Sequence, residues 1–125
     1  MSRILVLDDQ EHIRNIIKKF LVMDRHEVDV AADGSEGMKL AAGASYDLVI
    51  TDIVMPEKDG YEVLRELKQL SPGVKIIVMS GGAVKLDVDN LLVTAKFMGA
   101  DVAIAKPLDF TLLQTAVNKL LAVAG

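Results

Sequence analysis

Short apolar runs alternate along the chain with stretches of helical period. Residues 4–7 (Ile-Leu-Val-Leu), 48–50 (Leu-Val-Ile) and 76–79 (Ile-Ile-Val-Met) are continuously apolar, as expected of strands covered on both faces by helices. Glu27-Val28-Asp29-Val30 alternates instead, and residues 101–105 set small side chains between Val102 and Ile104, so the second and fifth strands read as the edges of a sheet. Ile13, Ile16, Ile17, Phe20 and Leu21 form the stripe of a first helix, and Leu112, Leu113, Ala116, Val117, Leu120 and Leu121 that of a last one. Between them, residues 34–42 and 60–70 read as helices preceded by the capping acids Asp33 and Asp59, with Glu36 and Glu62 three positions on. A further helix is predicted over 86–98. Strand and helix in alternation give an α/β fold, a doubly wound five-stranded parallel sheet. Short right-handed crossovers between two edge strands then set the order 2-1-3-4-5.

Composition narrows the class of protein. A chain of 125 residues, 51% apolar and 26% charged, holds one core, so residues 1–125 are expected to form a single domain. The net charge of −4 and the lack of a basic run argue against direct nucleic-acid binding, which needs clustered Lys and Arg to neutralise phosphates. With no Cys, neither a disulfide nor a thiolate metal site is available. No apolar run approaches the roughly 20 residues that span a bilayer, and Met1-Ser2-Arg3 leads straight into a strand. A soluble, cytoplasmic protein without membrane contact is the expectation.

Polar residues at the strand ends carry the chemistry. Asp8 and Asp9 follow the first strand, Asp52 the third, Ser80 the fourth and Lys106 the fifth. In such sheets ligands bind beyond the carboxyl ends of the strands, at the switch point between strands 1 and 3, where the three acids should meet. Clustered carboxylates repel one another unless a cation joins them. Oxygen ligands without His or Cys favour a hard ion, and two or three carboxylates completed by water suit Mg2+ better than Ca2+. Lys106 and the Ser80 hydroxyl add a positive charge and a donor opposite, an arrangement suited to a phosphoryl group. Asp52, between them, is placed as the nucleophile, since a carboxylate can accept a phosphoryl group as an acyl phosphate.

With these residues in order, the chain resembles the receiver domain of two-component response regulators over residues 2–123. The match rests on Asp8-Asp9, Asp52, Met55-Pro56 with Asp59-Gly60, Ser80-Gly81 and Lys106-Pro107. The resemblance implies a flavodoxin-like receiver fold and a site in which Asp9 and Asp52 ligate Mg2+ directly, Asp8 acts mainly through water, and the Val54 carbonyl completes the protein ligands. It also implies that Asp52 takes its phosphoryl group from a phosphohistidine on a sensor histidine kinase or phosphotransfer protein, and that the Lys106-Pro107 bond is cis. The expected outcome is a switch in a protein-interaction surface made by the 86–98 helix, the fifth strand and the last helix, facing a downstream target or a second copy, an expectation that rests on the apolar pattern of that helix. No enzyme activity is expected beyond the domain's own phosphorylation and slow dephosphorylation.

Plainer roles exist for each residue alone. Asp8 or Asp9 could cap the first helix, a lone Asp after a strand is commonly a turn residue, and a lone Lys is commonly solvated. Together those roles need four coincidences at four strand ends. Ser80-Gly81-Gly82 lacks the spacing and Lys of a P-loop, Gly60 reads as a helix start, and His12 and His26 read as surface residues. Two other classes compete. An aspartyl-phosphate phosphatase needs an acid-base carboxylate two residues after its nucleophile, where this chain has Val54. A pseudo-receiver that is never phosphorylated has no need of the full acidic set with Ser80 and Lys106.

The chain departs from the usual receiver pattern in two places. The stretch from Ser80 to Lys106 is longer than is usual in the family, with the insertion placed in 83–89, and Ala103 stands where many receivers carry a switch aromatic. Motion of the Ser80 hydroxyl and the 81–90 loop is then expected without the usual aromatic rotamer coupling. Val54 and Gly82 are nonpolar and cannot orient a water, which predicts a long-lived phosphoryl group. In the 86–98 helix, Val88, Leu91, Leu92, Ala95 and Met98 form one stripe while Leu86, Val93 and Phe97 form a second. That second stripe reads either as a docking or homodimer face or as a surface covered by the longer loop. No output domain follows Ala122-Val123-Ala124-Gly125, which leaves a stand-alone regulator or a piece of a longer chain.

Overall fold

In the computed structural model of the chain, residues 2–53, 60–80, 93, 96 and 99–124 are described. The elements run in the order β1 (Arg3–Leu7), α1 (Glu11–Met23), β2 (Glu27–Ala31), α2 (Gly34–Gly43), β3 (Leu48–Asp52), α3 (Gly60–Leu70), β4 (Lys75–Ser80), β5 (Val102–Ala105) and a last helix, α4 (Phe110–Ala124). All strand pairs are parallel, and the order is β2-β1-β3-β4-β5, with both predicted edges at the edges. The 86–98 helix, the Asp59 cap and the 81–90 loop lie outside the described residues apart from Val93 and Lys96. Both of these are helical and exposed, Val93 to 67%.

The sheet separates two cores, because successive strand residues point to opposite faces. Leu5, Leu7, Val49, Ile76 and Val78 pack against α2 and α3 through Met38, Val63, Leu64 and Leu67. Ile4, Val6, Leu48, Ile50, Ile77 and Met79 pack against α1 and α4 through Ile17, Leu21, Leu113 and Val117. The continuous apolar runs thus arise because both faces of β1, β3 and β4 are covered. On the second face, Phe20 of α1 stacks on Phe110 of α4 with ring centroids 5.6 Å apart, and the Gln114 side-chain amide donates to Asp24 at 2.9 Å.

Local chemistry sets the helix ends. The Asp33 carboxylate accepts from the Glu36 amide at 2.8 Å and caps α2, while the Glu36 carboxylate reaches back to the Ala32 amide at 3.2 Å. Gly37 lets α2 lie close on β1, since a Cβ at this position would run into the Leu7 side chain.

Two expectations need correction, and one plainer alternative is absent. Ile16 and Leu112 belong to the predicted stripes yet are 44% and 52% exposed. At about 100° per residue Ile16 is turned away from the Ile17–Leu21 contact line, and Leu112 likewise from Leu113–Val117. His12 is exposed, but His26 is half-buried, and its Nδ1 is buried with no hydrogen-bond partner among the described residues. The turn that tucks it in carries Arg25 at φ 68. Asp8 does not cap α1: the cap position is Gln10, whose side chain makes no capping bond.

Candidate metal centre

Parallel register brings the ends of β1 and β3 side by side. Leu7 pairs with Thr51, so Asp8 leaves β1 next to Asp52, the last residue of β3. Asp52 in turn pairs with Met79, and Ser80 at the end of β4 pairs with Ala105, one residue before Lys106. Four adjacent strands therefore deliver Asp8, Asp52, Ser80 and Lys106 to one edge of the sheet. Ser80 is placed there by its backbone, while its side chain, like Val54 and Gly82, lies outside the described residues.

Asp8 and Asp52 are buried, Asp52 to 5% exposure, and Asp9 is exposed. One carboxylate oxygen from each of the three lies within 4.8 Å of the others. Lys106 Nζ donates to Asp8 Oδ2 and Asp52 Oδ2, each at 2.8 Å. Burial by itself lowers the Lys106 pKa, but hydrogen bonds and charge attraction from Asp52 and Asp8 outweigh it and hold the ammonium above the ordinary lysine value. The Lys106-Pro107 bond is cis, as the resemblance implies.

The surroundings hold the acids in place. Asp8 Oδ1 accepts from the Gln10 amide at 2.9 Å, the Asp8 amide donates to the Ala31 carbonyl at 3.2 Å, and the Asp8 carbonyl accepts from Arg14 Nη1 at 2.9 Å. The buried Thr51 hydroxyl donates to the Asp52 carbonyl at 3.0 Å, and the Ile53 amide extends the ladder to the Met79 carbonyl at 3.0 Å. Arg14 and Thr51 were not among the expected site residues. Each acts on a main-chain carbonyl, a contact with no sequence signature.

The donor set fits a hard divalent cation. Three carboxylates within 4.8 Å supply oxygen alone, and one of them, Asp9, faces solvent and can admit an ion with its remaining waters. The Lys106 ammonium meets only part of the charge of three acids.

A family model described as "Response regulator receiver domain" matches residues 4–118. Chemotaxis protein CheY of Bacillus subtilis (strain 168) is 35% identical over 120 residues, covering 95% of this chain and 97% of that protein. Regulatory protein VanRB of Enterococcus faecalis is 34% identical over 123 residues, 98% of this chain but 54% of that protein. The chain spans about half or less of the length of several curated relatives it matches. Among solved structures, a response regulator receiver domain protein from Clostridium thermocellum superposes with a TM-score of 0.87 at 33% identity, covering 99% of this chain and 97% of that one.

Proposed function

The chain belongs to the response regulator receiver family, and from that membership we propose that Asp52 accepts a phosphoryl group and that residues 1–125 act as one phosphorylation-dependent receiver domain. The observation that carries this reading is the triangle of Asp8, Asp52 and Lys106, a buried carboxylate held 2.8 Å from a fixed ammonium beside a second acid. Domains of this family are generally not enzymes in their own right.

In this reading an Asp52 carboxylate oxygen attacks the phosphorus of a phosphohistidine on a histidine kinase or phosphotransfer protein. A P–O bond forms, the P–N bond breaks, and its electron pair leaves with the imidazole. Lys106 is assigned to one equatorial oxygen, whose charge it would offset. The Ser80 hydroxyl is assigned to a second oxygen. Asp8, Asp9, Asp52 and the Val54 carbonyl are assigned to hold Mg2+, which when bound neutralises charge shared between the acids and the incoming phosphoryl group. Val54, two positions after the nucleophile, offers no general base, which favours a persistent signal over phosphatase turnover.

The output is assigned to the 86–98 segment, β5 and α4, meeting a downstream protein or a second copy; Val93, exposed to 67%, belongs to that face. No helix among the described residues is long and apolar enough to cross a membrane. The reading is tested by incubation with Mg2+ and a small phosphodonor followed by hydroxylamine. Label that hydroxylamine removes is the acyl phosphate expected here. Label that resists it would place the phosphoryl group on a hydroxyl and contradict the assignment of Asp52.

A further inference from the structure

We infer that Arg14 is a positioning residue for Asp9, setting the affinity of the acidic centre for a divalent cation. The inference rests on the proposed reading of Asp9 as a metal ligand and concerns how that ligand is aimed. Among the described residues, no hydrogen bond or ion pair reaches the exposed Asp9 carboxylate. The point from which it is aimed, the Asp9 Cα–Cβ bond, is therefore set by its backbone.

Both peptide planes that flank Asp9 are pinned. A peptide unit is rigid, so the carbonyl oxygen of Asp8 and the nitrogen and Cα of Asp9 move together. Arg14 Nη1 donates to that Asp8 oxygen at 2.9 Å and fixes the first plane. The second plane, which carries the Asp9 carbonyl, is fixed at the Gln10 amide, which donates to Asp8 Oδ1 at 2.9 Å. Asp8 itself is held by Lys106 at 2.8 Å and, through its amide, by the Ala31 carbonyl at 3.2 Å. Of these partners Arg14 alone comes from the body of α1, where its amide bonds the Gln10 carbonyl at 3.0 Å, and its side chain is half-buried. Arg14 thus ties the loop carrying Asp9 to a helix that is packed on the sheet.

The guanidinium could act on a cation in two opposite ways, and the sign separates them. Acting through space, its positive charge repels a divalent ion, and its removal would tighten binding. Acting through the Asp8 carbonyl, it preorganises Asp9, and its removal loosens binding; groups that orient metal ligands are typically worth tenfold or more in affinity. The geometry favours the second, since the guanidinium is committed to a main-chain oxygen.

The test is calorimetric titration of Mg2+ into the wild type, Arg14→Met, Arg14→Lys, Asp9→Asn and the Arg14→Met/Asp9→Asn double variant, with backbone NMR order parameters at residues 9 and 10. Arg14→Met is expected to weaken Mg2+ binding about tenfold. Arg14→Lys, which keeps the charge and one donor, is expected to restore part of that loss. In the Asp9→Asn background, loss of Arg14 should cost little more, because it acts through Asp9. Binding by Arg14→Met as tight as wild type, or an equal loss with and without Asp9, would overturn the inference. Should the wild type bind no Mg2+, the metal reading itself fails; the order parameters then decide, and unchanged order at residues 9 and 10 in Arg14→Met overturns the positioning role.

Discussion

Lys106 Nζ donates to Asp52 Oδ2 at 2.8 Å across 54 positions of sequence, joining the end of β5 to the end of β3. The same ammonium holds Asp8 Oδ2 at 2.8 Å, so one side chain offsets two buried acids. Replacing Lys106 with Met leaves both carboxylates without that partner. Breaking such a pair by removing one member costs about 3 kcal/mol or more when it is buried, and a site open on the Asp9 side sits at the low end. The expected loss is about 2–3 kcal/mol in urea unfolding without divalent cations. Added Mg2+ should narrow the gap; an unchanged midpoint would mean that the pair contributes nothing.

The pH dependence of this pairing has a definite sign. The Lys106 pKa is raised in the fold, with burial opposing and the hydrogen bonds it donates to Asp52 and Asp8 prevailing. A raised folded value means that the stabilisation is complete below the ordinary lysine value of 10.5 and is lost as pH rises through the folded one. Wild type and Lys106→Met should therefore differ in unfolding free energy at neutral pH and converge in strong alkali.

Tyr46 gives a second, separable alkaline transition. Burial first, and then the hydrogen bond its hydroxyl donates to Asp29 at 2.7 Å, push its pKa from 10.0 up to about 12. The neutral phenol stabilises the fold fully below pH 10.0, and that contribution falls as pH approaches about 12. The difference between wild type and Tyr46→Phe in phenolate absorbance should show this late ionisation. Asp29→Asn should retain a raised value, because burial is the larger cause; a return to the ordinary value would contradict that ranking.

Gly37 tests the packing of α2 on β1. Placing Ala there gains about 1 kcal/mol of helix propensity but drives a methyl into Leu7, and overpacking costs about 1–3 kcal/mol. The collision should win, and Gly37→Ala should lower the thermal midpoint. Trimming Leu7 to Val in the same chain should recover part of the loss, and failure to do so would show that the contact is relieved some other way.

Val54 tests the lifetime of the phosphoryl group. Placing Asp there supplies an acid-base carboxylate two residues after Asp52 and should speed dephosphorylation about tenfold, below what an optimally positioned base provides. An unchanged decay rate would remove position 54 from the account of persistence.

Much of the architecture was legible because burial on two faces writes itself as continuous apolar runs. Residues 4–7, 48–50 and 76–79 became β1, β3 and β4, and their ends brought together Asp8, Asp9 and Asp52 as expected. The stripes of α1 and α4 were drawn too wide, since apolar character alone does not separate Ile17 from Ile16, or Leu113 from Leu112. His26 looked like a surface residue because the turn that buries its Nδ1 passes through Arg25 at positive φ, which is uncommon outside Gly and Asn. Arg14 and Thr51 were missed because each bonds a main-chain carbonyl, and such a contact is set by geometry rather than by residue type.

Intact-mass analysis after incubation with Mg2+ and a small phosphodonor decides whether Asp52 accepts a phosphoryl group. The wild type should gain one phosphoryl group and Asp52→Asn none. No gain in the wild type, or an equal gain in Asp52→Asn, would contradict that role for Asp52.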